Sequence, residues 1–435
     1  MVILTYGMET ALFNFSRQAI NKDSVYSTAL SSLMFTSLLF MSLSLLFSNQ
    51  IAHVLRYDSH PEYIVWFILL ITLDIVTAIP FAKLREQNKA RRFATFKVAN
   101  IVLNIIFNIF FIVICPKLFG KTTSGIVHFI YNPAIGVGYI FISNLIANII
   151  TFLMLLPALL KTTFAFDKIL LKKMLLYSFP LLIAGLAGMI NETLDRILLK
   201  YLLPKGSDAL AELGIYGACY KISIIMTLFI QTFRYAAEPF FFAHAAEENP
   251  KHLYATVMKY FVIACCFIFL ATLMYMDVVK YFIGPAFRVG LHIVPVLLFA
   301  NLCLGIFFNL SIWYKLTGET KFGAYLSIFG AVITLGLNYI LIPLYSYTGA
   351  AWTTLACYFL MMVASYIIGQ KHYPIDYNLK RIVGYILFAL LLFGISELLH
   401  IPSTTFRIFS NTLLLLVFVG VVYKVESGFK GLRKI

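Results

Sequence analysis

The chain carries few groups able to do chemistry, and the densest set lies inside one apolar stretch. Tyr177–Pro204, YSFPLLIAGLAGMINETLDRILLKYLLP, holds Glu192, Asp195 and Arg196. As a helix rising ~1.5 Å per residue, this stretch outruns the ~30 Å hydrocarbon core of a bilayer. A charge held there costs at least ~2.5–3.5 kcal/mol unless it meets water, a partner or a cavity. Arg196 and Lys221 fall about seven residues inside the same-side ends of two antiparallel helices, roughly 10 Å deep. Two cations at one depth call for water, carboxylates or an anionic ligand. One reading is a cationic cavity wall that binds phosphate, with Arg196 as a bidentate fork and Lys221 as a point charge. The plainer reading pairs Glu192 with Arg196 along one helix face while Lys221 snorkels.

Glu192 and Asp195 share the helical sector of Arg196. They are placed to bind a coupling cation, to accept a coupling proton, or simply to balance Arg196. Pro180, Gly185 and Gly188 precede them, and Pro180 frees a backbone bond, so a hinge is expected there. Asp74 is central in another span, flanked by Thr72 and Thr77. It is a coupling or cavity acid, or else an aspartate bonded to a neighbouring helix. Asn100, Asn104 and Asn108 recur every four residues, and Asn144 and Asn148 repeat the pattern. Such ladders predict interhelical hydrogen bonding ahead of a binding path. Arg234 and Glu238 are expected to pair at a membrane edge, with Glu9 in a like role.

Catalytic signatures are missing. The sequence has no nucleophile elbow, phosphate-binding Walker loop or HExxH. His53, His60 and His128 are too dispersed for a metal site, and none is expected. The six cysteines all fall within apolar spans and read as small packing residues.

The elements that position these groups are membrane helices. Of 435 residues, 61% are hydrophobic and 12% charged, which describes an all-α polytopic membrane protein. Apolar spans are expected near 25–47, 63–83, 95–115, 135–160, 175–203, 214–242, 257–276, 291–314, 322–343, 348–369, 382–398 and 407–423, with an incomplete one over 1–13. The net charge of +15 is not a nucleic-acid signal. About 23 of the 34 Lys and Arg residues collect in alternate loops, and the positive-inside rule makes that side, and the C-terminus, cytoplasmic.

The chain also repeats itself weakly. Tyr6-Gly-Met-Glu9-Thr-Ala-Leu-Phe13 reads against Tyr235-Ala-Ala-Glu238-Pro-Phe-Phe-Phe242, Lys83-Leu84 against Lys315-Leu316, Leu103-Asn104 against Leu337-Asn338, and Gly136 against Gly349. The equivalent helices run the same way, so the repeats are parallel, a pattern of transporters. The expected organisation is an incomplete N-terminal bundle over 1–173, a C-terminal bundle over 174–370, and two appended helices with a tail over 371–435. By offset, a first helix and most of a second are expected ahead of Met1.

Ser178-Phe-Pro180, Asp195-Arg196-Ile-Leu-Leu199 and Leu213-Gly-Ile-Tyr216-Gly-Ala-Cys-Tyr220-Lys221-Ile resemble the central region of the Wzx-type polysaccharide-biosynthesis flippases. Gly318-Glu-Thr-Lys321, Leu337-Asn338-Tyr-Ile-Leu-Ile-Pro343 and Gly349-Ala-Ala-Trp352 extend the resemblance. That family belongs to the multidrug/oligosaccharidyl-lipid/polysaccharide exporter superfamily. The resemblance implies two six-helix bundles in a V around a cavity, plus two helices, in a bacterial inner membrane. It implies alternating-access transfer of an undecaprenyl-pyrophosphate-linked oligosaccharide to the outer leaflet, with Arg196 and Lys221 meeting pyrophosphate or glycan. A polysaccharide polymerase and a chain-length regulator are implied partners beside membrane lipids; no cofactor beyond a coupling H+ or Na+ is expected. A cation-coupled multidrug exporter shares the architecture, but a cavity for cationic drugs should favour acids over the Arg196/Lys221 pair. A glycan polymerase or acyltransferase would need catalytic residues in an outer loop. A non-transporting scaffold of a glycan-assembly complex is the remaining alternative.

Overall fold

A computed structural model describes residues 2–19, 21–54, 57–58, 60–119, 130–160, 165–203, 208–246, 249–399 and 401–432. Among these residues there are helices and no strand. His128 and the side chain of Glu192 lie outside the described residues, as do Arg56, Lys121, Lys161, Lys205, Arg433 and Lys434 of the basic-residue count.

The backbone contacts divide the chain into two compact units, Met1–Leu182 and Ile183–Ile435. Unit 1 begins with short helices α1 (Val2–Thr5) and α2 (Met8–Gln18). Then come α3 (Lys22–Leu46), α4 (Ser48–Val54), α5 (Glu62–Glu86) and α6 (Ala90–Asn108). A π-helical turn over Ile109–Ile114 joins α6 to α7 (Cys115–Phe119), and α8 covers Tyr139–Leu160. Helix α9 (Lys168–Leu202) is continuous through Pro180, and the division between units falls inside it, just past that proline.

Unit 2 continues with α10 (Ala209–Ala243), α11 (Pro250–Met274) and the short α12 (Met276–Val279). It ends with α13 (Val294–Leu310), α14 (Ile312–Leu316), α15 (Lys321–His372), α16 (Leu379–Leu398) and α17 (Thr404–Leu432).

Eleven helical segments among the described residues are long and apolar enough to cross a membrane. One of them, α15, has 52 residues, far more than the ~20 that a single crossing needs. It breaks at Ser346, where φ is 51°, and the two halves fold back on each other. Cys357 Sγ donates to Gly330 O at 3.3 Å across the hairpin. A β-carbon at Gly349 would sit 2.3 Å from Leu341 O, so only glycine lets the halves approach this closely. The two spans expected near 322–343 and 348–369 are therefore the arms of one helical hairpin.

Packing follows the burial pattern. In unit 1, α5 lies between α3 and α8, and α8 also packs on α6. In unit 2, α13 packs against α15 and α10, while α16 and α17 lean on α11. The unit 2 core is Leu, Ile, Phe and sulfur-rich, with Cys219, Cys265 and Cys266 buried within it.

The repeat has a counterpart inside each unit. Glu9 on α2 pairs with Arg85 at the end of α5. Its repeat partner Glu238, on α10, pairs with Lys315 of α14 at 3.1 Å. The same unusual backbone occurs just before α8 and at the break in α15: Gly136 at φ 53°, ψ −125° and Ser346 at φ 51°, ψ −134°. Ser346 is held there by donating to Glu212 Oε2 at 2.5 Å.

Outside the spans, Asp277 of α12 accepts from Lys280 at 3.0 Å and meets Arg407 of α17 at 2.5 Å. Burial is the largest influence on its carboxyl and pushes its pKa up. Lys280 and Arg407 together outweigh burial, and the net shift is downward. A depressed carboxylate contributes stability that is present above the unfolded-state pKa of about 3.9 and lost as pH falls through the folded value. We expect Asp277→Asn to lower the thermal unfolding midpoint at pH 7, with the gap from the parent protein closing as pH drops below about 3.9. Unfolding scans across that range check it.

Candidate functional site

Helices α9 and α10 meet through a polar contact inside unit 2. Tyr216 donates its phenol proton to Asp195 Oδ2, and both residues are buried. Asp195 Oδ1 accepts from the backbone N–H of Arg196 at 2.8 Å, so both carboxylate oxygens are occupied. One turn along α10, the guanidinium of Arg196 lies over the Tyr220 ring, 4.6 Å from its centroid. The aromatic face helps to hold the cation, and Arg196 Nε makes no hydrogen bond among the described residues.

Lys221 follows Tyr220 directly, on an exposed face of α10. It forms no ion pair among the described residues. The two helices thus cross where Arg196 reaches Tyr220, and Lys221 is the next residue at that level. An Arg that forms no salt bridge among the described residues, beside an exposed Lys, can receive an anion.

A second polar group is buried nearby in the same unit. Asn191, one turn before Asp195, donates to Ser327 O at 3.4 Å on α15, while its Oδ1 has no partner. Asn338 is 0% exposed, and neither of its amide atoms is hydrogen-bonded. The antiparallel register of α15 brings Asn338 to the level of Thr353, also fully buried with its hydroxyl unpartnered. Buried polar atoms are almost always paired, so a group of orphaned oxygens asks for a water or a cation.

In unit 1, Asp74 is half-buried and accepts from Asn148 Nδ2 at 2.9 Å. Lys97 on α6 acts on it electrostatically. The asparagine ladders tie α6 to α8: Asn100 donates to Asn148 and Thr151, each at 2.9 Å, and Asn104 donates to Asn144. Asn108 closes back onto Asn104 at 2.7 Å. Each such bond in lipid contributes about 0.6 kcal/mol.

Arg234 and Glu238 line one small cavity in unit 2 with Lys315 and Asn309. Arg234 lies 3.9 Å over the Phe308 ring, and Glu238 takes Lys315. Gly188 faces open space.

Sequence reasoning assigned no role to Tyr216, Tyr220 or Thr353. The first two carry a readable signal: tyrosines four apart, immediately before a membrane lysine, lie on one helix face. Thr353 carries none, because its position depends on how α15 folds back.

The architecture is a multi-helix fold with eleven membrane-length segments among the described residues, the fold seen in MATE transporters of the MOP superfamily. The Vibrio cholerae MATE transporter VcmN superposes with a TM-score of 0.67 at 12% identity, over 85% of each chain. A multidrug-resistance MATE family transporter in an outward-facing conformation gives 0.66 at 15% identity, over 85% of this chain and 83% of that one. A MATE transporter solved in a complex gives 0.66 at 17% identity, over 85% and 84%. No curated protein sequence matches. The polysaccharide biosynthesis protein family matches residues 1–245, and the chain belongs to that family.

The Asp195–Tyr216 contact is open to a direct test. Tyr216→Phe should cost about 1–2 kcal/mol, since it strips a donor from a buried carboxylate. In a double-mutant cycle with Asp195→Asn, the two losses should be clearly non-additive, as read from unfolding in detergent.

Proposed function

We propose that this transporter flips an undecaprenyl-pyrophosphate-linked oligosaccharide from the cytoplasmic to the outer leaflet by alternating access, for surface polysaccharide synthesis. The observation that carries the reading is membership of the polysaccharide biosynthesis family. The chemistry of the α9–α10 contact agrees with it. Arg196 is held by an aromatic face, leaving its fork for pyrophosphate oxygens, and Lys221 adds a point charge. The partners in this reading are the lipid-linked oligosaccharide, membrane lipids, a polysaccharide polymerase and a chain-length regulator. The protein sits in a bacterial inner membrane with its basic loops and C-terminus cytoplasmic.

The coupling ion, Na+ or H+, is taken up beside Asp195 in this proposal. The orphaned oxygens of Asn191, Asn338 and Thr353 support an ion or proton-carrying water there. Asp74 and Glu192 are the other candidate acids. Pro180, Gly185 and Gly188 flank the division between the two units and would serve as the hinge.

A second reading, a cation-coupled multidrug exporter, draws on the solved structures, among them a multidrug-resistance transporter of the same fold. One experiment separates the two. In a cell lacking the gene, the parent chain should restore surface polysaccharide. Arg196→Ala with Lys221→Ala should reduce it at least about tenfold at equal protein level. Asp195→Asn should remove the dependence on the ion gradient. Full polysaccharide from the double variant would sink the phosphate-binding role, and drug resistance without any effect on polysaccharide would favour the exporter.

A further inference from the structure

Away from the α9–α10 contact, unit 2 holds a polar basin of about 850 Å³. It lies between the first turns of α11, the 373–378 connection, the start of α16 and the end of α17. Lys259, Lys380 and Arg381 line it against two acids, Asp376 and Glu426. Glu426 is fully engaged. Its Oε2 takes Lys259 and, at 3.4 Å, Tyr260; its Oε1 takes Tyr385 at 2.8 Å and Arg381 at 3.4 Å. One carboxylate thus answers two cations. Lys380 is exposed and forms no ion pair among the described residues.

Two helices also begin at this basin. Asn249 caps α11 by accepting from His252 N at 3.4 Å, and Asn378 caps α16 by accepting from Arg381 N at 3.2 Å. Their N-terminal dipole ends add to the positive field already set by the lysines and arginine.

The basin does not end in solvent alone. Tyr260 and Glu426 also line an apolar groove of about 720 Å³ that runs along α11 and α17. Its walls include Phe229, Phe267, Phe418 and Val422. A free phosphate would leave the groove unused, and an uncharged lipid would leave Lys380 unused. We propose that basin and groove together form a binding site for an anionic glycerophospholipid, with the phosphate headgroup at Lys380, in the positive field of Lys259, Arg381 and the two helix N-termini, and an acyl chain along the groove. Basic pockets between membrane helices on the cytoplasmic side capture such headgroups, because anionic lipids concentrate in that leaflet. The side assignment rests on the orientation proposed above; the binding test does not depend on it or on transport.

The full chain, purified and delipidated, is mixed with equal amounts of phosphatidylglycerol and phosphatidylcholine of matched acyl chains. Bound lipid is counted by native mass spectrometry. Phosphatidylglycerol should dominate, and Lys380→Ala should cut the preference about fivefold while Lys380→Arg keeps it. Ala264→Trp, which fills the groove, should reduce binding of both lipids. Equal retention of the two lipids, or an unchanged preference in Lys380→Ala, overturns the proposal. So does displacement of phosphatidylglycerol by an equal amount of undecaprenyl phosphate, which would make this a subsite for the substrate carrier.

Discussion

Hydrocarbon offers no hydrogen bonds, and that constraint decides where every polar side chain of this protein can sit. A charge within a span survives only against a partner. The structure meets the requirement with short-range pairings between adjacent helices: Asp195 with Tyr216, Asp74 with Asn148, Glu9 with Arg85 and Glu238 with Lys315. These contacts fix helix register as well as satisfy charge. Apolar packing alone would let α9 slide along α10, since lipid and leucine are equally good neighbours to a helix surface.

Unit 1 spends much of its polarity on asparagine bridges between α6 and α8. Each unit also leaves buried polar atoms without a hydrogen bond among the described residues: Asn14 Oδ1 and Ser143 Oγ in unit 1, Asn191 Oδ1, Asn338 and Thr353 in unit 2. In the proposed function, the unpartnered Asn191 oxygen, one turn from Asp195, is where a coupling ion would find a ligand. Both units pair the acid that the repeat shares with a base, Glu9 with Arg85 and Glu238 with Lys315, although the repeat partner of Lys315 is Lys83, which meets Asp23. This argues that the repeat is held by electrostatics at its helix ends as well as by hydropathy.

Much of this was legible in the residues themselves. Span positions followed from apolar runs, and the asparagine ladders followed from four-residue spacing, because both are one-dimensional signals. The family was legible from the Asp195-Arg196 and Tyr216–Lys221 segments. The partner of Asp195 was not, since it depends on the relative rotation of α9 and α10, which hydropathy does not set. The break at Ser346 was equally hidden. Neither proline nor glycine occupies that position, and the conformation is maintained by the hydrogen bond to Glu212, over a hundred residues earlier in the chain. Glu238 has Arg234 one turn away in sequence and also reaches across to Lys315, a contact that depends on how α10 packs against α14 and that spacing does not set.

That cross-helix contact bears on how the proposed flippase would treat its bases. An arginine locked in a buried salt bridge has lost its appetite for phosphate, because a second anion would have to displace the first carboxylate. Aromatic rings solve the problem. Arg196 rests on Tyr220 and Arg234 on Phe308, each within cation–π range. A ring face lowers the cost of holding the charge inside the membrane, and at Arg196 it leaves Nε without a hydrogen bond among the described residues. Asp195 lies beside Arg196 in sequence, but its two oxygens are taken by Tyr216 and a backbone N–H. The acid's hydrogen bonds thus go to groups other than the guanidinium beside it. In the proposed function, a site that holds a pyrophosphate and then releases it would need this separation, because full neutralisation would abolish binding and an unsupported cation is costly in the bilayer.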